Sequence, residues 1–246
     1  MNDQKIDIMA FGAHPDDCEM SMGGTLLKMK SLAYKVGICD LSRGESGTYG
    51  SLETRKHELD HAAMVLGLDV RVTLDFPDAY IRNTEENRLR VIEVIRKYRP
   101  EIVFSFADRP LRHPDHYWAG RIVQESCYLA GLQKIQTDSP AFRPAVFIGF
   151  SEITFEKPDF IVDISEFWEK KQELIRCYAS QVYQSGEDES QAKTFIHSKE
   201  FWNVMESRAT LIGATIGARY GEAFYCDRPP QIVDPIQAFY KKTNLR

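Results

Sequence analysis

Two hydrophobic rhythms alternate along the first half of the chain. Short, unbroken apolar runs occupy IDIMAFGA (6–13), KVGICDLS (35–42), VRVTLDF (70–76) and EIVFSFA (101–107). Between and after them, the stretches 17–34, 51–67, 84–99 and 115–131 carry apolar residues at helical spacing. An apolar run without polar alternation marks a strand covered on both faces, and a 3.6-residue period marks a helix with one buried stripe. The punctuation agrees: Asp16 and Asp17 sit at the first helical turn, Gly67 and Gly131 close two helices, and Pro100 stops a third. Further strands are expected at 145–150 and 159–165, and further helices near 166–180 and 199–217. This alternation predicts an α/β protein with a doubly wound, mostly parallel sheet and helices on both faces. No repeat or linker divides the chain, so 1–246 reads as one domain, with a Pro-rich tail from Asp227 expected to wrap the surface.

Composition narrows the class. With 246 residues, 43% of them hydrophobic, the chain is long enough to bury a sizeable core. The formal charge is −5 and the basic residues form no stripe, which argues against a nucleic-acid partner. The N-terminal apolar run has the length of a strand rather than a signal sequence, and no run approaches the roughly 18 residues of a membrane span. Five scattered cysteines without a CxxC pair point to a reduced, cytoplasmic protein.

The chemistry concentrates where strands end. GAHPDDCE (12–19) leaves the first strand and RHPDH (112–116) leaves the fourth. In a doubly wound sheet those strands flank the point where strand order reverses, and ligands bind there beyond the carboxyl ends. His14, Asp16, Asp17, His113, Asp115 and His116 are then expected in one crevice. Two imidazoles and one carboxylate suit a divalent metal with open positions. A hydrolytic site also needs a base that does not bind the metal, and HPDD has one carboxylate to spare for it. A single HPD triplet is equally well explained as a helix cap with a turn proline; two of them at one sheet edge favour the metal.

HELDH (57–61) fits the zinc-protease pattern HExxH. On a helical wheel, however, Leu52, Leu59, Ala62, Ala63 and Leu66 share one face, and His57 and His61 lie opposite, toward solvent. The same wheel sets Arg55 beside the apolar face at the helix start, within reach of the expected crevice. The loop SRGESGTYG (42–50) lines that edge but has no phosphate-binding glycine spacing.

The HPDD strand exit, RHPDH, the helix start ETRKHEL, and YASQVY (178–183) together resemble the LmbE/PIG-L family of zinc-dependent N-acetylglucosaminide deacetylases, most closely the bacillithiol-biosynthesis branch. The similarity runs through YGEAFY (220–225). It implies a Rossmann-like fold, zinc (or Fe2+) held by His14, Asp17 and His116, Asp16 as general base, and His113 supported by Asp115 at the oxyanion. It also implies Arg55 and Arg112 on sugar hydroxyls or an acidic aglycone, a small N-acetyl sugar such as GlcNAc-malate as substrate, and a homo-oligomer, trimeric or hexameric. Cys18 departs from the aliphatic residue usual there. The rival readings are a general GlcNAc or chitooligosaccharide deacetylase, an iron(II) oxygenase, whose facial triad His14-x-Asp16 plus a distant histidine imitates, and a non-catalytic sugar-binding module. The spare Asp16 speaks against the module.

Overall fold

The computed structural model describes residues 5–107, 112–151, 157–184, 186–187, 194–226 and 228–239. The expected tail beyond Phe239 and its first residue, Asp227, lie outside that set. Strands β1 (Ile8–Gly12), β2 (Val36–Asp40), β3 (Val70–Thr73), β4 (Ile102–Phe106) and β5 (Val146–Phe150) pair in parallel in the order β3-β2-β1-β4-β5. Helices α1 (Asp17–Ser31), α2 (Leu52–Leu66), α3 (Glu85–Tyr98) and α4 (Pro114–Leu129) provide the crossovers. Each boundary falls within a few residues of its sequence expectation. The fold is α/β with a mostly parallel sheet, and strand order reverses between β1 and β4, which pair from Ile8↔Ile102 to Ala10↔Phe104.

The far edge of the sheet departs from the expectation. After β6 (Phe160–Asp163) come a 3-10 turn (Ser165–Phe167), α5 (Trp168–Arg176) and α6 (Lys199–Ala214). Then β7 (Gly221–Cys226) inserts antiparallel between β5 and β6. The sequence pattern predicts no strand there, because GEAFYC places Glu222 inside an otherwise apolar run. That glutamate is buried and has a structural task. Helix α1 breaks at Met22 (φ −141°), and the backbone N–H groups of Gly24 and Thr25, freed by the break, donate to the two Glu222 carboxylate oxygens at 3.0 and 2.7 Å. Buried Lys171 of α5 completes the cap at 2.6 Å. Gly24 is required at this contact, since a Cβ there would stand 2.8 Å from Ile164.

The core forms around β1, whose residues Met9, Ala10 and Phe11 are fully buried. Cys18 packs into it with no exposure, as a small apolar side chain would. The last described helix, α7 (Pro235–Phe239), lies in a solvent-exposed tail. No helix among the described residues is long and apolar enough to cross a membrane.

Candidate metal centre

The two HPD segments meet as topology requires. β1 ends at Gly12, and the chain turns through His14 and Pro15 into α1. Asp16 takes a left-handed backbone (φ 103°), a conformation costing a non-glycine residue about 1–3 kcal/mol. Arg55 Nη2 donates to the Pro15 carbonyl at 2.8 Å and holds the turn. The Asp16 carbonyl accepts from Met20 N at 2.9 Å and so starts the helix, but its carboxylate makes no capping bond. The side chain best placed to cap α1 is therefore turned to another use.

At the neighbouring strand, the cap and the site coincide. His113 is the N-cap of α4, its Nδ1 accepting the Asp115 N–H at 3.1 Å, with Pro114 following as the first helical residue. An accepting Nδ1 leaves the proton of the neutral ring on Nε2. Two turns further along α4, Gly120 passes so close to β4 that a Cβ would meet the Phe106 carbonyl at 2.4 Å. This tight seating lays the His116 ring flat on Phe106, with centroids 4.2 Å apart and planes 8° apart.

Three ligand side chains converge, Asp17 through both of its oxygens. His116 Nε2 lies 3.2 Å from Asp17 Oδ1 and 3.3 Å from His14 Nδ1, and His14 Nδ1 lies 3.5 Å from Asp17 Oδ2. Bonds of about 2.1 Å to a tetrahedral ion give ligand–ligand edges of about 3.4 Å, so this triangle fits a small divalent metal. His14, His113 and His116 also have donor atoms within 4.8 Å of one another, as do His14, Asp78 and Asp115. Those sets fit less well: His113 Nδ1 is engaged with the backbone, and the two aspartates face the other nitrogen of His14.

Asp78 is the residue that sequence reasoning missed. Its Oδ1 stands 3.0 Å from His14 Nε2, off the line of a straight hydrogen bond, and Oδ2 accepts from Ser46 N at 2.8 Å. A carboxylate on the far nitrogen of a ligating imidazole orients the ring and raises its basicity. A signal was available: FPDAY (76–80) places Pro77–Asp78 just after the third apolar run, as Pro15–Asp16 and Pro114–Asp115 follow the first and fourth.

Other expected residues are placed differently. The Asp115 carboxylate does not reach His113; it accepts from Ala79 N (2.7 Å) and Ile81 N (3.2 Å) and approaches His14 Nε2 at 3.4 Å. Support for His113 comes from the Asp115 backbone, because the first turn of α4 directs that side chain toward the loop after β3. Arg55 is buried beside Asp16 (Nη1 to Oδ2, 3.4 Å) rather than extended into an open crevice. Arg112 is exposed, its guanidinium over the Phe195 ring at 5.3 Å. His57 and His61 are exposed, as the wheel requires, but so is Leu52 (47%), which the same wheel turns inward. Leu52 is the first residue of α2.

Burial raises the Asp16 carboxyl to about 7, with the Arg55 cation opposing and Asp17 adding to the rise. Asp17 behaves oppositely: burial works against its charge, yet the His116 and His14 rings hold it well below the carboxylate range. His14 is driven well above an ordinary histidine, because Asp115, Asp17 and Asp78 outweigh the cost of its burial. His113 is lowered by burial and by the two neighbouring rings, so it stays neutral. The carboxylates of Asp17, Asp78 and Asp115 surround His14 and favour positive charge at this position.

The chain is similar in sequence and fold to known proteins. Residues 9–127 match the model of PIG-L, described as GlcNAc-PI de-N-acetylase. A diacetylchitobiose deacetylase from Thermococcus kodakarensis is 33% identical over 73% of this chain and 71% of its own length. A probable N-acetyl-alpha-D-glucosaminyl L-malate deacetylase 2 from Bacillus anthracis is 27% identical over 68% of this chain and 78% of its own. The crystal structure of the conserved protein TT1542 from Thermus thermophilus superposes with a TM-score of 0.83 at 32% identity, covering 93% of this chain and 97% of that one. The parallel sheet with an HPDD exit facing an HPDH exit makes this an α/β protein with a candidate metal site at its switch point. Within that class, the chain belongs to the PIG-L deacetylase family.

Proposed function

We propose that the protein is a zinc-dependent hydrolase that removes the acetyl group from an N-acetylglucosaminide. The observation that supports this best is Asp16, a buried carboxylate beside the donor triangle, relieved of capping and raised toward neutrality. His14, Asp17 and His116 would hold the metal, and bound there it would polarise the amide carbonyl and acidify water. Asp16 accepts the proton of the attacking water at its carboxylate. His113 Nε2–H donates to the amide oxygen as negative charge develops there. As the C–N bond breaks, the proton held by Asp16 passes to the departing nitrogen, leaving free amine and acetate. The iron(II) oxygenase reading recruits Asp16 as a ligand, whereas Asp17 is the aspartate within 3.5 Å of the ring nitrogens of both His14 and His116.

For the aglycone, the acidic reading (GlcNAc-malate) rests on arginine, and Arg55 is already engaged with Asp16 and Pro15. Of the two arginines that the resemblance names, Arg112 is then the one free of Asp16 and exposed to meet a carboxylate. Assaying N-acetylglucosamine, GlcNAc-malate and N,N'-diacetylchitobiose for released amine, with metal-stripped protein as control, tests the proposal. Zinc-restored turnover of at least one of them is expected. No turnover of any would overturn the hydrolase reading, and a preference for GlcNAc-malate would assign the chain to the bacillithiol branch.

A further inference from the structure

The segment 194–198, which leads into α6, touches both loops that flank the metal centre. Phe195 lies under the Arg112 guanidinium, and Arg112 immediately precedes His113 at the exit of β4. His197 stacks on Tyr49 with centroids 4.6 Å apart, and Tyr49 belongs to the loop after β2. That loop is tied to the site, since Ser46 N donates to the Asp78 carboxylate that faces His14. Because β1 lies between β2 and β4 in the sheet, the segment joins loops from the two sides of the metal centre.

The strap is anchored from below. Ile196 packs with Met20 of α1, Ile175, Val182 and Phe201 in a small apolar cluster. Phe201 also meets the Phe195 ring edge-on at 6.0 Å. The Phe195 ring nevertheless remains 43% exposed. A rigid aromatic ring beside a guanidinium, both exposed at the rim of a metal centre, is suited to a pyranose: the ring takes the sugar's C–H face and the guanidinium its hydroxyls.

We infer that Phe195 and Arg112 form the subsite for the ring attached to the N-acetylglucosamine, making a second sugar, rather than a small acid, the preferred aglycone. This rests on the deacetylase reading and adds to it a specificity residue far from either HPD motif. His197 and Tyr49 hold the strap in position and do not touch the sugar.

The test compares kcat/KM for N,N'-diacetylchitobiose and N-acetylglucosamine in the wild type, F195A and F195Y. The disaccharide-to-monosaccharide ratio is expected to fall about five- to tenfold in F195A, the usual worth of one aromatic contact, and to return in F195Y. H197A is expected to give a smaller fall in the same ratio. An unchanged ratio in F195A, or equal efficiency on both substrates in the wild type, would overturn the inference. Calorimetric titration of the metal-loaded protein with diacetylchitobiose supplies a readout that needs no turnover. Binding that weakens in F195A, without hydrolysis in the wild type, would keep the subsite and overturn the hydrolase. Binding equal in wild type and F195A would overturn the subsite alone.

Discussion

Buried acids gather around helix α1 at three places, and they are neutralised in different ways. At the break after Met22, Glu222 is met by two backbone N–H groups and the Lys171 ammonium. In the first turn, Glu19 shares Arg71 with Asp40 of β2; Arg71 bonds Asp40 through Nε and Nη2 at 2.9 Å each and Glu19 through Nη1 at 2.5 Å, with Tyr178 OH on Glu19 at 2.6 Å. These groups are closed, each carboxylate having a cation from the chain itself. At the N-terminal tip, by contrast, Asp16, Asp17, Asp78 and Asp115 gather with Arg55 as the one arginine bonded to any of them among the described residues. At the scaffold sites every carboxylate is bonded to a cation of the chain, whereas at the tip Asp17, Asp78 and Asp115 face the imidazoles of His14 and His116 beside a strained Asp16, the kind of side-chain set that could hold a metal.

The contrast can be broken at either end, and the largest effect is expected at the open one. Asp16→Asn should retain the metal while the deacetylation rate falls about 10²–10⁴-fold, the usual worth of a general base. Asp17→Ala should lose the metal itself. Metal analysis beside rate measurement separates the two, and the reverse pattern would exchange their roles.

At the closed end, Lys171→Met strands a buried carboxylate and should destabilise the fold by about 3–5 kcal/mol in denaturant unfolding. Glu222→Gln added to it should recover part of that loss, and metal content per folded molecule should not move in either. A drop in metal occupancy would show that the two halves of α1 are coupled.

Asp78→Asn sharpens the boundary between the groups. The loss of its charge from the far side of His14 should weaken metal binding about 10–100-fold in competition with a chelator, with little change in unfolding free energy. The smallest effect belongs to the solvent face of α2. His57→Ala with His61→Ala should leave turnover and metal content unchanged and stability within about 0.5 kcal/mol, as for exposed side chains elsewhere.

Much of this was readable from residue order. The lengths of the apolar runs and their helical spacers were enough for β1 to β6 and the first four helices, because strand-length apolar runs separated by helical spacing are a local signal. Placing HPDD and HPDH at strand exits was enough to bring His14, Asp17 and His116 to one edge, since the chain order of a doubly wound sheet leaves β1 and β4 as neighbours. The HELDH histidines could be set aside for the same kind of reason, as a helix face is a property of spacing alone.

What residue order could not decide is where a side chain points when several partners compete for it. β7 was hidden because its buried glutamate is tolerable only beside Lys171 and the two N–H groups freed at the break in α1, which come from segments 51 and about 200 residues away in sequence. Asp115 turned to the Ala79 and Ile81 amides rather than to His113, and Arg55 turned inward to Pro15 and Asp16, because buried polar groups settle on whichever donors and acceptors the packed loops bring within reach. Asp78 entered the site for the same reason. Periodicity and strand exits are local and survive in one dimension; hydrogen-bond partners across the crevice exist only once the sheet has assembled and its loops have closed over the end of β1.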